Sequence, residues 1–170
     1  LSVAAGAIGV MTDCLKEVVE YSKKRYQHGS HLANKQLIQR HIAKIAISIE
    51  TTKWVTYRAA IAKQKLNDYI ESLKQNDKKW IIKLNRNNKI YSGLRRESDK
   101  LAAIAKHYAT NSSFDVANRS VQIFGSEGYK KTSRVARHFL DSRATTIYEG
   151  TNEVLELKIA SEILGSNFNA

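Results

Sequence analysis

Proline is missing from this sequence of 170 residues, and Cys14 is its single cysteine. Proline inside a helix removes a hydrogen bond and clashes with the preceding turn, so its absence removes the main interruption to long helices. One cysteine excludes an internal disulfide and favours a reducing, cytoplasmic setting. Because Cys14 is spaced among apolar residues, we expect its thiol to pack in the core.

Long hydrophobic runs are also missing. No stretch approaches the roughly 20 apolar residues that a membrane-spanning helix needs. The opening Leu-Ser-Val-Ala-Ala-Gly lacks the basic segment and long apolar run of a signal peptide. The first residue is not methionine and already lies within a predicted helix, so we expect a part of a longer protein. The length and the 42% hydrophobic content suit one globular domain.

Acidic residues are few relative to basic ones, because 16 Asp and Glu stand against 28 Lys and Arg, for a formal net charge of +12. Much of the excess lies between positions 74 and 100, in Lys74, Lys78, Lys79, Lys83, Arg86, Lys89, Arg95, Arg96 and Lys100. Such a patch can attract the phosphates of a nucleotide, of coenzyme A or of nucleic acid. A solvated helical connection is the alternative.

Apolar residues that recur every three or four positions predict amphipathic helices. The segments with this spacing are 1–27, 34–75, 97–125, about 132–141 and about 152–164. Gly29 stands where a glycine is expected after a helix end, and Asn34 can cap the second helix. A helix as long as 34–75 must pack along a partner of similar length. The predicted fold is therefore all-α, an antiparallel four-helix bundle with an additional short C-terminal helix and no convincing strand pairing.

The same spacing assigns the buried faces of the helices. For the first helix they are Val3, Ala7, Val10, Cys14, Val18 and Tyr21. For the second they are Ile38, Ile42, Ile45, Ile49, Thr52, Ala59, Leu66 and Leu73. For the third and the last they are Leu101, Ile104, Tyr108, Ala117, Val121, Phe124, Val154, Leu155, Ile159 and Ile163. Between the second and third helices, Trp80, Ile81, Ile82 and Leu84 fit a short strand or an extra turn.

Three short segments are candidates for chemistry. Glu149 lies in a predicted loop between Tyr148 and Gly150, where a carboxylate can be partly buried and aimed at a ligand, as a general base must be. The run 122–129 joins a helix end to glycines whose N–H groups can bind phosphate, or which simply cap the helix. The run 25–29 places an arginine at a helix end, which the helix dipole alone explains.

Taken together, these segments resemble the C-terminal domain of the acyl-CoA dehydrogenase family. The resemblance rests on Arg25 to Gly29, Gln36, the Gln-Ile-Phe-Gly-Ser-Glu-Gly-Tyr run at 122–129, the Ile-Tyr-Glu-Gly-Thr run at 147–151 and the opening Ala-Ala-Gly-Ala-Ile-Gly at 4–9. It covers a single domain, 1–170, except about 76–96, which looks like a basic insertion. The family's N-terminal helical and middle β-domains are absent from this chain, so the isolated domain is expected to be inactive.

The resemblance implies an FAD-dependent oxidoreductase of fatty acid metabolism that converts an acyl-CoA thioester to the 2-enoyl-CoA. It implies that Glu149 is the base, that its N–H polarises the thioester carbonyl, and that Tyr148 and Gly150 meet the substrate. The implied FAD-binding residues are Arg25, Gln27, Gln36, Gln122, Gly125, Ser126, Thr151 and Glu153. The implied partners are acyl-CoA, further copies in a homo-dimer or homo-tetramer whose bundles help to bind a neighbour's FAD, and an electron-transfer flavoprotein.

The sequence also departs from the family pattern. Non-family residues stand at His28, Ser126, Leu140, Glu153, Glu156 and Ser161. Two other functions stay open: a DNA-binding relative that uses the basic residues of 74–100, and a purely structural subunit. The five histidines show no metal-ligand spacing, so no metal is expected.

Overall fold

A computed structural model describes residues 1–76, 84 and 88–165, and it confirms the all-α fold class. The helices are α1 (Ser2–Lys24), α2 (Gln36–Asn76), α3 (Lys89–Phe124), α4 (Ser126–Tyr129), α5 (Arg134–Thr145) and α6 (Asn152–Leu164). A helix as long as α2 gains most of its stability from packing rather than from intrinsic propensity, so its neighbours decide the fold.

Two core clusters show that consecutive long helices run in opposite directions. The first joins the later part of α1, through Cys14 and Val18, to Ile45 near the start of α2 and to Val116 in the later part of α3. The second joins Ala4 and Ala7 of α1 to residues 59 and 62 of α2 and to 101–109 of α3. Helix α2 is therefore antiparallel to both α1 and α3. The central element is α3, which packs against α1, α2, α5 and α6.

The predicted buried face of α2 is confirmed along most of the helix. Its buried residues are Ile45, Ile49, Thr52, Thr56, Ala59, Ala62 and Leu66. A fully buried isoleucine such as Ile45 stabilises the fold by roughly 2–5 kcal/mol relative to alanine, because its removal leaves a cavity in a close-packed core. The periodicity thus located the core correctly where a helix buries a single stripe.

Helix α1 ends at Lys24, three residues before its predicted end, because the chain turns into a two-stranded hairpin. Tyr26–Gln27 (β1) pairs antiparallel with Ser30–His31 (β2), so the expectation of no strand pairing is wrong. His28 and Gly29 have φ of 50° and 78°, the sign that both central residues of a type I′ turn require. Gly29 therefore serves this turn and does not end the helix.

The boundaries around α2 and α3 also differ from prediction. Asn34 lies in a 3-10 turn, Leu32–Asn34, and Lys35 directly precedes α2. Helix α3 begins eight residues before the predicted 97, because Asn88 caps it: Tyr91 N–H donates to Asn88 Oδ1 at 3.0 Å. The strand or turn proposed at 80–82 lies outside the described residues, and Leu84 is described in a turn.

Three predicted core positions are wrong. Tyr108, Val154 and Ile163 are 39%, 55% and 70% exposed. The hydroxyl of Tyr108 donates to Thr51 Oγ1 at 3.1 Å on the bundle surface, and small residues fill the interior of α3 instead. Helix α6 packs mainly on α3, so only the edge that carries Leu155 and Ile159 is half-buried.

The expectation for Cys14 is confirmed, because the side chain is fully buried. Burial raises the pKa of the Cys14 thiol to about 11, despite a hydrogen bond with Ser120. The thiol is therefore protonated at neutral pH and takes a packing role. Within the described ranges, no helix has the combination of length and apolarity that a membrane crossing requires.

An ion cluster fastens α5 to α1. Arg134 Nε and Nη2 donate to the two carboxylate oxygens of Asp13 at 2.6 and 2.8 Å, and His138 Nε2 lies 2.6 Å from Asp13 Oδ2. Burial by itself raises the pKa of Asp13, but the hydrogen bonds from His138 and Arg134 outweigh it and hold the pKa below its usual value. The ionised carboxylate is therefore the form that the fold stabilises.

We expect Asp13→Asn to lower the free energy of unfolding at pH 7 by about 1 kcal/mol, the upper end of the range for partly exposed ion pairs. Because the folded pKa is depressed, this stabilisation is complete above the ordinary pKa and is lost as pH falls through the folded value. Thermal unfolding of the full-length protein from pH 7 to pH 3 should show the difference from wild type shrinking below about pH 4. Asp115→Asn, which breaks the partly buried pair with Arg119 within α3, is the control. A difference that stays constant at every pH would contradict the assignment.

Candidate functional site

The loop that carries Glu149 is tightly closed between α5 and α6. Asn152 N–H donates to the Thr146 carbonyl at 3.1 Å, and Tyr148 N–H donates to the Ala144 carbonyl at 3.2 Å. Between these two bonds, Glu149 and Gly150 have φ of 57° and 87°. Glycine adopts this left-handed region readily, whereas a glutamate there costs about 1 kcal/mol. Strain of this kind persists where the surroundings hold it, and it is concentrated at functional sites.

The side chain of Glu149 is exposed in this chain by itself. It lines a cavity of about 190 Å³ together with Lys106 and Asp99 of α3 and Lys158 of α6. Its backbone N–H donates to no acceptor in the described part of the chain. Glu149 therefore offers both a carboxylate and an unused N–H donor to a ligand.

Tyr148 faces a second cavity, of about 530 Å³, between α1 and α5. Its wall is mostly small and apolar, with Val3, Gly6, Val10 and Ala144 among its residues, and Asp141 also lines it. Val3 also lines the smaller cavity beside Glu149, so the two cavities lie on either side of the start of α1. An apolar cavity next to a carboxylate suits a ligand with an apolar chain and a reactive polar end.

Lys106 is the residue of this site that the sequence analysis missed. Its side chain lies in α3, is only 6% exposed, and donates from Nζ to the Gly150 carbonyl at 2.8 Å and to Asn152 Oδ1 at 3.0 Å. Burial lowers the pKa of Lys106, while the negative charges of Glu153 and Glu149 act in the opposite direction. The sequence does contain one signal for a buried Lys106, because this lysine directly follows the apolar run Leu101-Ala-Ala-Ile-Ala.

Asn152 extends this contact into a buried network. Its side chain is 6% exposed, and Nδ2 donates to Thr110 Oγ1 and to Asn111 Oδ1, each at 3.0 Å. The network joins the first residue of α6 to α3 through hydrogen bonds that are buried at Lys106 and Thr110 and partly buried at Asn111. In a low-dielectric interior such bonds are strong, and an unpaired group would be costly.

Thr151 and Glu153, two of the predicted cofactor residues, surround the start of α6. Thr151 Oγ1 accepts the Val154 N–H at 3.4 Å and so caps the helix. Hydrogen bonds from its own N–H and from the Thr151 hydroxyl lower the pKa of Glu153, so its carboxylate is charged. A negative charge here disfavours a phosphate at this helix start, although Arg143 lies near enough to offset it in part.

The other predicted cofactor residues lie where α1 and α3 end and α2 begins. They are Arg25, Gln27, Gln36, Gln122, Gly125 and Ser126. Tyr21 holds these ends together, because its ring stacks on Phe124 at 4.1 Å and its hydroxyl donates to the Phe124 carbonyl at 3.3 Å. The five side chains other than glycine are exposed, and none bonds to another residue within the described ranges. They are thus available to a polar ligand.

The turn after α3 needs its glycines for two different reasons. Gly125 has φ of 60° and ψ of −134°, a conformation that only glycine adopts without strain. A Cβ on Gly128 would lie 2.8 Å from the Val121 carbonyl oxygen, so the close approach to α3 excludes a side chain there. Ser126, which departs from the family pattern, begins α4 without a positive φ and therefore without backbone strain.

The two groups of predicted residues are far apart within one chain. Along α3, the rise of about 1.5 Å per residue separates Lys106, beside the Glu149 loop, from Gln122 by about 24 Å. A single pocket of this chain therefore does not contain both groups. Among the residues that the structure describes, no three His, Cys, Asp or Glu side chains come together as a metal site requires.

Comparison with known proteins identifies relatives of this arrangement. The family model described as "Acyl-CoA dehydrogenase, C-terminal domain" matches residues 1–74 and 86–164. The short-chain-specific acyl-CoA dehydrogenase of Megasphaera elsdenii is 34% identical over 154 residues, which are 91% of this chain and 33% of that protein. Subunit CarC of the caffeyl-CoA reductase–Etf complex of Acetobacterium woodii is 33% identical over 96% of this chain and 36% of its own length.

A solved structure agrees in fold as well as in sequence. Butyryl-CoA dehydrogenase from Megasphaera elsdenii superposes with a TM-score of 0.73 and 33% identity, covering 96% of this chain and 35% of that one. The present chain thus spans about a third of the length of the relatives it matches.

Proposed function

This chain belongs to the acyl-CoA dehydrogenase family, and on that premise we propose that it is the C-terminal domain of an FAD-dependent enzyme that dehydrogenates an acyl-CoA thioester between its α and β carbons. The observation that carries the proposal is the Glu149 loop, with an exposed carboxylate on a strained backbone beside an apolar cavity. The reported relatives lend no support to the DNA-binding or purely structural alternatives.

Glu149 acts as the general base that removes the α-proton. Its backbone N–H, which has no acceptor in the described chain, donates to the thioester carbonyl and stabilises the negative charge that develops there. Tyr148 and Gly150 flank the substrate, and the cavity beside Tyr148 receives the apolar part of the acyl group. FAD, when bound, supplies the hydride acceptor.

The residues present fit an FAD that is shared between two chains. The exposed amides of Gln27 and Gln122 and the cation of Arg25 suit the adenosine and pyrophosphate. At the other end, the charged Glu153 suits a part of the cofactor without phosphate, which Thr151 also borders. Because these groups lie about 24 Å apart along α3, we assign them to the cofactors of neighbouring subunits.

Helix α2 supplies a surface for such an assembly. Its outer face carries Ile47, Trp54 and Ile61 at intervals of seven residues, and they are 62%, 71% and 58% exposed. Apolar residues at this spacing form the seam along which two helices pack. We assign the seam to the contact between bundles in a homo-dimer or homo-tetramer.

The remaining assignments rest on the relatives and on composition. CarC belongs to a complex with Etf, so an electron-transfer flavoprotein is the partner we propose for the full-length protein. We propose a single domain at 1–170 in which about 76–96 is a basic insertion, with the N-terminal helical and middle β-domains elsewhere in the protein. The single reduced cysteine supports a cytoplasmic location.

In the full-length protein, we expect Glu149→Gln to slow anaerobic flavin reduction by acyl-CoA by roughly 10²–10⁴-fold, because the amide cannot accept the α-proton. FAD content, read from the visible spectrum, should be unchanged. Glu156→Gln, a nearby exposed change on α6, is the matched control and should reduce flavin like wild type. Undiminished flavin reduction in Glu149→Gln would remove this residue from the mechanism.

Sharing of the cofactor predicts complementation between two inactive variants. Glu149→Gln lacks the base, and the double variant Arg25→Ala/Gln122→Ala lacks the side chains that we assign to the FAD of the neighbouring subunit. When the two are co-expressed, a mixed pair of chains contains one intact site, so about a quarter of wild-type activity should return in a symmetric dimer. Each variant expressed alone provides the baseline, and no recovery in the mixture would place both groups at the FAD of one subunit.

We expect Trp54→Glu to weaken self-association, because the substitution buries a charge between the α2 helices of two chains. Sedimentation velocity of the full-length protein should show smaller species at micromolar concentration. Ile90→Glu introduces the same charge at an exposed apolar position of α3 and is the control. An unchanged oligomer with lowered thermal stability would mean that another part of the same chain covers the seam.

A further inference from the structure

We propose that Lys106 is the positioning residue of the Glu149 loop, and that its buried ammonium group holds Glu149 in the left-handed conformation from which the carboxylate meets the substrate. This inference deepens the proposed function, because it names the support of the base. The geometry around Lys106 can nevertheless be tested without any turnover.

The backbone bonds of the loop leave Glu149 and Gly150 without support of their own. The two bonds that close the loop end at Tyr148 and at Asn152, on either side of them. Lys106 Nζ supplies the missing contact, because it binds the Gly150 carbonyl at 2.8 Å and the Asn152 side chain at 3.0 Å. One ammonium group thus joins the residue after Glu149 to the start of α6.

Glu149 needs such support because its φ of 57° is unfavourable for a residue with a side chain. Conformations of this kind persist only where several contacts fix them. Without the bond to Gly150, the peptide units on both sides of Glu149 could rotate to ordinary backbone angles. Both the carboxylate and the N–H of Glu149 would then change direction together.

Packing alone does not explain a lysine at position 106. The neighbouring buried positions of α3 are small and apolar, among them Ala103, Ala105 and Ala109, so an uncharged side chain would suit the interior better. Taking an ammonium out of water is costly when no anion compensates it. In the part of the chain that the structure describes, no carboxylate lies within 4.0 Å of Lys106 Nζ. The charge therefore has a use other than stability.

The position of Lys106 beside Glu149 supplies that use. An ammonium group has three donors, of which two are taken by Gly150 and Asn152. Lys106 also borders the 190 Å³ cavity that Glu149 lines. The same group thus orients the loop by hydrogen bonds and places a positive charge beside the base.

The test uses Lys106→Met in the full-length protein, because methionine keeps a long unbranched stem and removes every donor. The first readout is hydrogen exchange of the peptide that covers 146–153, which we expect to become at least tenfold faster while the core of α2 is unchanged. The second is anaerobic flavin reduction, which should slow by roughly 10–100-fold at saturating acyl-CoA, the cost of a misplaced catalytic group. FAD content and the substrate dissociation constant should stay within about twofold, since neither is set mainly by the base.

Val116→Ala is the matched control for lost stability, because it opens a cavity in the same helix away from the loop. Asn152→Ala tests the network itself. If Lys106 and Asn152 act as one unit, the double variant should be no slower than the slower single variant.

The outcomes separate this proposal from the dehydrogenase assignment. Slower reduction and faster loop exchange in Lys106→Met, but not in a Val116→Ala protein of similar melting temperature, would support positioning. Unchanged loop exchange, or a rate loss that the control reproduces, would overturn it. If none of the acyl-CoAs tested reduces the flavin of the wild-type protein while Lys106→Met still exchanges its loop faster, the proposed reaction fails and the role of Lys106 in holding the loop stands.

Discussion

Close packing around α3 is the constraint on which the rest of this structure depends. Five helices contact α3, and its buried positions are mostly alanine, serine and threonine, with one leucine, one valine, one isoleucine and Lys106 spread along about ten turns. Small side chains let backbones approach closely, so α1 and α2 can lie against one part of its surface while α5 and α6 occupy others. The direction of each of these helices and its position along the bundle axis are set by where it packs against α3.

This arrangement separates the proposed catalytic loop from the proposed cofactor-binding residues along the length of the bundle. The start of α6 docks beside Lys106, in the first half of α3, and thereby fixes the Glu149 loop near the start of α1. The end of α3 docks beside the end of α1 through the stack of Tyr21 on Phe124. Because a helix is a rigid spacer, the residues of these two groups cannot approach one another in one chain. In the proposed assembly, an FAD that meets both groups lies between two chains, and the exposed face of α2 that carries Ile47, Trp54 and Ile61 is the contact proposed between them.

A buried lysine and a buried asparagine lie next to the strained loop, whereas the other buried polar side chains among the described residues are serines and threonines. Lys106, Asn152 and Thr110 form a buried network between α3 and α6, whereas the other core clusters are apolar. An apolar core tolerates many substitutions of similar volume, but a hydrogen-bonded network fixes one geometry and penalises its loss. The network therefore explains how a loop at the surface of the bundle, with an exposed carboxylate, keeps an unfavourable backbone conformation.

The sequence by itself determined the fold class, the buried face of α2 from Ile45 to Leu66, the buried thiol of Cys14 and the family. Periodicity and the order of motifs are properties of the sequence that do not depend on tertiary contacts. Two helix ends were predicted wrongly, because Asn88 caps α3 eight residues before its predicted start and the turn at His28 and Gly29 ends α1 early. The exposure of Val154 and Ile163 depends on tertiary structure, because α6 has few neighbours. The support of Glu149 was also beyond the sequence, since Lys106 is 43 residues away and only the packing of α6 on α3 brings its ammonium to the Gly150 carbonyl. A pattern in sequence records which face of a helix is apolar, whereas the tertiary structure decides which buried polar groups find one another.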